Sequence, residues 1–413
     1  MGSYKFQAKK LPQDWFLGSV KDISLSFSNL RVPIKSADRK ERQGQYRYYG
    51  AQGVIDFIDD YIFDGEYLLV AEDGENVKSR KNDIAQVVQG KFWVNNHAHV
   101  LQGNHKGSIN FLKYVLNFVS IKEYVTGQAQ PKLNKAQLER IAIAIPPLEE
   151  QQKIAEVLST VEKKIDLIEQ KIAETQKLKT GLMQKLFSEG VGVQNENGEW
   201  LSHTEFQDTP SGKVPSRWVS LRLEDIAKVE RGKFSARPRN DPKYYGGEIP
   251  FVQTGGVVNA STYIDTYSQT LNELGLTVSK MFPVGTILIT IAANIGDVAI
   301  TKYPLACPDS LVGIQANESK CNVQWLFYFL QTQQSELDSK ATKSAQKNIN
   351  LQVLKPLTVY LPSLEEQIVI AEILSTSDEQ LALLEKQKSE TQQLKKGLMQ
   401  KLLTGEWRVP LDN

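Results

Sequence analysis

Cysteine is almost missing from this sequence: Cys307 and Cys321 are the only two in 413 residues, and they form no CxxC spacing. That excludes a disulfide scaffold and gives no support to a structural zinc site, so both thiols are expected reduced and buried. Long apolar runs are missing as well. No window approaches the roughly 18 apolar residues of a membrane span, and no apolar stretch follows a basic start near the first residue, so a cytoplasmic protein is expected. The motifs of self-sufficient enzymes are also absent. There is no G-x-x-x-x-G-K-[ST] phosphate loop, no Gly-rich dinucleotide fingerprint, no G-x-S-x-G elbow and no H-E-x-x-H. Nor does the chain carry the Asn-Pro-Pro-aromatic tetrapeptide of amino-methylating DNA methyltransferases. It is expected to catalyse nothing by itself.

What is present is charge, unevenly placed. The net charge is only +1, with 49 Lys/Arg against 48 Asp/Glu. Residues 1–148 nevertheless carry 20 basic against 15 acidic groups, and 212–360 carry 16 against 12, while 188–211 hold five acidic groups and no basic one. Two positive blocks joined by neutral or acidic connectors are the footprint of two phosphate-facing modules.

The chain also repeats itself. "LEEQQKIAEVLST" at 148–160 returns as "LEEQIVIAEILST" at 364–376, and 145–187 aligned on 361–403 gives about 24 identities in 43 positions. The offset of 216 residues extends back through Thr126/Thr342, Gln130/Gln346, Asn134/Asn350 and Leu138/Leu354. Further upstream, Pro12, Trp15 and Asp22-Ile23 match Pro215, Trp218 and Asp225-Ile226. The unit of duplication is therefore a globular domain followed by a helix.

Each helix opens after proline (Pro146-Pro147, Pro362), has a glutamate pair suited to its first turn, and stops before Gly190 or Gly405. Ile154, Leu158, Val161, Ile165, Ile168 and Ile172 alternate steps of four and three, and Leu178, Leu182 and Leu186 follow. The second copy keeps Ile370, Leu374, Leu381, Leu384, Leu394, Leu398 and Leu402, broken by Ser377 and Lys388. This is a heptad seam, and two such helices, each leading from one domain towards the other, should pack antiparallel. The expected fold is mixed α/β: two globular domains with two long antiparallel coiled-coil helices and a pseudo-twofold internal repeat. Expected boundaries are 1–145, domain one; 146–190, helix one; 191–212, linker; 213–360, domain two; 361–405, helix two; 406–413, tail.

Each domain carries a basic run with aromatics behind it. Arg31, Lys35, Arg39, Lys40, Arg42 and Arg47 precede Tyr48; Lys228, Arg231, Lys233, Arg237, Arg239 and Lys243 precede Tyr244. One such run alone is ordinarily a solvated loop. Two at matching positions suit phosphate contact and groove entry, since Arg also grips guanine O6 and N7. Asn95, Asn96, His97 and His99 are candidates for base or phosphate hydrogen bonding, with zinc ligation by the HxH pair a weaker alternative. Lys343, Gln346 and Lys347 complete the candidate DNA-binding set. Pro308-Asp309 with Glu318 and Lys320 imitates a metal-dependent nuclease pattern, a short spacing that recurs by chance and that the first domain lacks. A coiled-coil adaptor binding two protein ligands is the alternative to DNA recognition.

The repeated "PPLEEQQKIAEVLS" and "PSLEEQIVIAEILS", the "LPxxW" opening, the "LKxGLMQKL" helix ends, "HTEFQDTPSGKVPSRW" at 203–218 and "LLTGEWRV" at 402–409 resemble the specificity subunit of type I restriction-modification systems. The resemblance covers nearly the whole chain. It implies two target recognition domains, each reading half of a bipartite double-stranded DNA sequence, on a conserved antiparallel spacer. It further implies assembly with two methyltransferase subunits that methylate adenine N6 and with ATP-dependent restriction subunits. S-adenosylmethionine, ATP and Mg are then expected on the partners and none on this chain. Candidates for docking and spacing are Leu148, Glu149, Glu150, Gln151 and Ile154 with their counterparts Leu364, Glu365, Glu366, Gln367 and Ile370.

Overall fold

The computed structural model describes residues 11–127, 130–210, 212–292, 294–341 and 348–411. Lys343, Gln346 and Lys347 lie outside these residues. Among them, no helix is long and apolar enough to cross a membrane. The two long helices run Leu148–Ser188 and Leu364–Leu403. Each is closed by a glycine in the left-handed region, Gly190 at φ 70° and Gly405 at φ 73°. A Cβ on Gly190 would stand 2.3 Å from Glu366 Oε1, and one on Gly405 would stand 2.6 Å from Pro12 Cδ, so both positions need glycine for space as well as torsion.

The chain forms two compact units, Met1–Gln170 with Lys386–Asn413, and Lys171–Glu385, so each unit holds half of each long helix. In the first unit Glu162 meets Lys395 at 2.7 Å and Glu169 meets Lys388 at 3.0 Å. Partner numbers fall as helix numbers rise, which is antiparallel packing. In the second unit Lys179 meets Asp378 at 2.5 Å while Leu186 shares a core with Ile370, Ala371 and Leu374, again antiparallel.

The seam departs from the sequence expectation at one point in each copy. Leu178 is 60% and Leu394 53% exposed. Continuing the four-three spacing beyond Ile172 leads instead to Thr175, Lys179, Leu182 and Leu186, and in the other copy to Thr391, Lys395, Leu398 and Leu402. Lys179 and Lys395 take inward positions because Asp378 and Glu162 face them. A charge sits in such a seam only with its partner, and the pair then fixes register. Ser377 bonds its own turn through the carbonyl of Ile373, so it does not interrupt the helix.

In the first unit a six-stranded sheet carries the domain, in the order Ser24–Ser26, Ala98–Gly103, Phe63–Ala71, Ala85–Val94, Gln43–Gly50, Gly53–Ile58. All neighbours are antiparallel except Gln43–Gly50 on Ala85–Val94. Helix Ile109–Phe118 covers one face and buries Phe111, Leu112, Val115 and Leu116. The second unit splits its strands between a five-stranded sheet built around Ile287–Thr290 and a four-stranded sheet that pairs Tyr245–Phe251 with Gln269–Leu271. Its helix Val323–Thr332 corresponds to Ile109–Phe118, with Asn322 capping where Ser108 caps in the first unit. Each domain also closes on a small ribbon, Phe16–Ser19 with Ala142–Ile145 and Val219–Arg222 with Thr358–Leu361.

Candidate DNA interface and its scaffold

Both long helices begin by plugging into a domain. In the first unit Glu150 is fully buried; Trp15 Nε1 donates to its Oε2 at 2.9 Å and Arg408 Nε to its Oε1 at 2.6 Å. In the second unit Glu366 takes Trp218 Nε1 at 3.0 Å, with His203 Nε2 at 3.0 Å and the N–H groups of Val191 and Gly192 on its other oxygen. Gln151 accepts from Ser108 N and donates to the carbonyls of Lys106 and Pro146; Gln367 accepts from Asn322 N and donates to Lys320 and Pro362. A buried carboxylate or amide must find its partners locally. Glu150, Gln151, Ile154, Glu366, Gln367 and Ile370, candidates for docking and spacing, are buried and are therefore corrected from docking contacts to anchors between helix and domain. Glu149 and Glu365 remain exposed, and Leu148 and Leu364 half-buried. The sequence signal was the joint recurrence of Trp15/Trp218, 203 residues apart, with Glu150/Glu366, 216 apart.

A second tie lies farther along each helix. Glu162 accepts from Lys113 Nζ at 2.5 Å, Tyr114 Oη at 2.9 Å and Lys395 Nζ at 2.7 Å, joining the domain helix to both long helices. Burial pushes the Glu162 carboxyl up, but the two lysines outweigh burial and hold it down at about 2. Burial, with Glu162 beside it, pushes the Tyr114 phenol up. Asp378 repeats the arrangement with Tyr328 Oη at 2.7 Å and Lys179 Nζ at 2.5 Å.

The basic runs divide by role. Arg31 spends its fork on Glu72 at 2.6 Å and on the carbonyls of Ser28 and Ala98. Arg39 pairs with Asp56 at 2.8 Å and lies 4.9 Å over the Tyr48 ring, which is itself fully buried. Arg42 pairs with Asp59 and covers Trp93. Asn95 caps the turn at His97 N, and His99, 1% exposed, has Nε2 2.7 Å from the carbonyl of Leu133. Arg31, Arg39, Arg42, Tyr48, Asn95 and His99 are thus corrected from DNA contacts to framework of the first domain. Burial also pushes the His99 imidazole below its ordinary range. Lys35 and Arg47 stay exposed without an ion pair among the described residues; Asn96 is exposed, and His97 lies 2.7 Å from Asp73. The two histidines do not converge, and among the described residues no group of three or more His, Cys, Asp or Glu could hold a metal.

In the second domain Arg239 Nη2 donates to both oxygens of Asp309 at 2.8 and 2.9 Å, while Arg231 Nε reaches the Asp309 carbonyl at 2.6 Å. Arg237 turns back onto the carbonyl of Ala236, Tyr244 is half-buried, and Lys233 is exposed without an ion pair among the described residues. Arg231 and Arg239 remain at the surface, pinned to one loop. Asp309 is taken up by arginine, and Lys320 Nζ donates to the Asp225 carbonyl, so the imitation nuclease residues do not converge. Cys307 and Cys321 are buried, and burial pushes both thiols up to about 12.

A family profile described as type I restriction modification DNA specificity domain matches residues 12–177 and again 215–393, one match on each copy of the repeat. The chain is 26% identical to the MjaVIII specificity subunit of a type I restriction enzyme from Methanocaldococcus jannaschii, over 97% of this chain and 94% of that relative. It is 32% identical to the MjaIX specificity subunit of the same organism over 47% and 44% of the two chains. The crystal structure of a type I restriction-modification S subunit from M. genitalium shares the fold with a TM-score of 0.63 at 14% identity, covering 98% of this chain and 99% of that one. Duplicated domains, duplicated helix anchors and a doubled family match agree: the chain belongs to the type I restriction-modification DNA specificity family.

Proposed function

We propose that this chain is the non-catalytic specificity subunit of a type I restriction-modification complex, reading an asymmetric bipartite target in double-stranded DNA whose two halves are separated by a gap of fixed length. Each globular domain reads one half-site. The long helices offer the same surface twice, so two copies of one adenine-N6 methyltransferase subunit dock, and restriction subunits join through them. S-adenosylmethionine belongs to the methyltransferase, and ATP with Mg to the partners. Because an enzyme must draw adenine out of the stack to reach N6, base flipping falls to the methyltransferase.

The observation that carries this reading is selective repetition. Trp–Glu, Gln–backbone and Tyr–carboxylate–Lys ties recur between the copies. The large sheets, six-stranded in one unit and five- and four-stranded in the other, do not. A shared partner explains the constant helices, and different half-sites explain the divergent domains. Exposed leucines support docking on the helices: Leu167 and Leu383 are 57% and 55% exposed, and Leu178 and Leu394 recur at the same offset. Solvated leucines at four matched sites suit a covering partner.

The test is selection from a random duplex pool with this chain bound to its methyltransferase subunit. A split motif with one gap length supports the proposal. Stable assembly with two protein ligands and no sequence enrichment would favour the coiled-coil adaptor instead.

A further inference from the structure

The second domain holds an open cleft of about 760 Å³ lined by Gln253, Asn259, Ser261, Tyr263, Tyr267 and Gln269 among others. Among the described residues no lysine or arginine lines it, and its one acid, Asp265, is paired with Lys302. This is amide and hydroxyl chemistry with aromatic walls.

Gln253 Nε2 donates to Gln269 Oε1 at 2.5 Å, and both side chains are exposed. Two strands hold the pair: Phe251 sits opposite Gln269 in the ladder between Tyr245–Phe251 and Gln269–Leu271, and Val252 N donates to the Ala306 carbonyl. Thr254 Oγ1 lies 3.2 Å from Ser310 Oγ. Ser310 follows Asp309, which binds Arg231 and Arg239. One short loop therefore connects the amide pair to the surface arginines. At Gly255 an added Cβ would meet nothing within 4 Å, so the backbone beside Gln253 is open to close approach.

The amide pair leaves Gln253 Oε1 as an acceptor beside Gln269 Nε2 as a donor. Adenine presents the complementary couple in the major groove, the N6 amino group as donor and N7 as acceptor, whereas guanine presents two acceptors and cytosine a donor alone. Arg231 and Arg239, held at the surface by Asp309, suit phosphates, which position the duplex without reading it. We infer that Gln253 and Gln269 are specificity-determining residues that together read one adenine of the half-site recognised by the second domain, with Arg231 and Arg239 gripping the adjacent phosphates. This rests on the DNA-recognition reading above.

The experiment uses the full chain in complex with its methyltransferase subunit and the split target that the wild-type complex selects. Competition binding is measured against duplexes carrying each base at each position, for wild type, Gln253→Ala, Gln269→Ala and the double variant. One adenine in the second half-site should lose its preference by about tenfold or more, with preferences in the first half-site unchanged. Gln253→Glu, which only accepts, should move preference at that position towards cytosine. An unaltered preference profile in the double variant overturns the inference. So does an equal loss of affinity for every sequence, since that would make the pair a phosphate-binding or folding element. Retained preference at the other positions of the second half-site reports that the second domain of each variant is folded, and the first half-site, read by the other domain, reports the same for the rest of the chain. If the wild-type complex selects no target, it is the DNA-recognition reading that fails.

Discussion

Lys395 Nζ lies 2.7 Å from Glu162 Oε1, and at the repeat offset of 216 residues the equivalent pair is Lys179 and Asp378 at 2.5 Å. Each helix thus donates the lysine of one pair and the carboxylate of the other. A tyrosine from the neighbouring domain helix completes each site.

Glu162 should make the first unit acid-sensitive. Its folded carboxyl is held at about 2 against an ordinary 4.5, so the unfolded chain binds more protons between those values. The stabilisation, on the order of 3 kcal/mol, is fully present above about pH 4.5 and is lost as pH falls through about 2. Glu162→Gln should lower denaturant stability at pH 7 and flatten its decline below pH 4.5. Denaturant titrations across this range measure both; parallel curves for variant and wild type would contradict it.

Arg408 should matter beyond its exposed position near the end of the chain. It donates to Glu150, which is fully buried, and to Asp14. Arg408→Ala leaves the buried Glu150 carboxylate with Trp15 as its remaining side-chain donor among the described residues, and such stranding costs about 3 kcal/mol. The thermal midpoint should fall by several degrees, and Arg408→Lys should recover part of the loss.

Exposed and framework cations should separate by assay. Lys35→Ala, Arg47→Ala and Lys233→Ala should weaken DNA binding evenly across sequences and reduce the salt slope by about one each, with unchanged melting. Arg39→Ala should instead lower stability by about 1–2 kcal/mol, through loss of the Asp56 pair and the stack on Tyr48. Paired salt titrations and melting curves distinguish the two classes.

Leu167, Leu178, Leu383 and Leu394 should govern partner docking. Aspartate at these exposed sites removes apolar area without disturbing the seam, so melting should hold while copurification of the methyltransferase subunit falls at least tenfold. Undiminished copurification would place the docking surface elsewhere.

The duplication, the long helices and their antiparallel packing were legible because periodicity survives divergence. Leu178 and Leu394 misled, since an apolar side chain outweighs a lysine in any hydropathy pattern, and only the facing carboxylate explains why Lys179 and Lys395 turn inward. Arg31 and Arg39 misled for the same reason in reverse. Their acids, Glu72 and Asp56, are distant in sequence and come close only when the sheet forms. Glu150 and Glu366 looked like first-turn charges, and burial against tryptophan was invisible until the helix met its domain.

The most direct measurement is single-molecule methylation calling on a host genome before and after this chain is expressed with its methyltransferase subunit. New N6-methyladenine should appear at one asymmetric split motif with a constant gap. An assembled, active complex that methylates no such motif would contradict the specificity role.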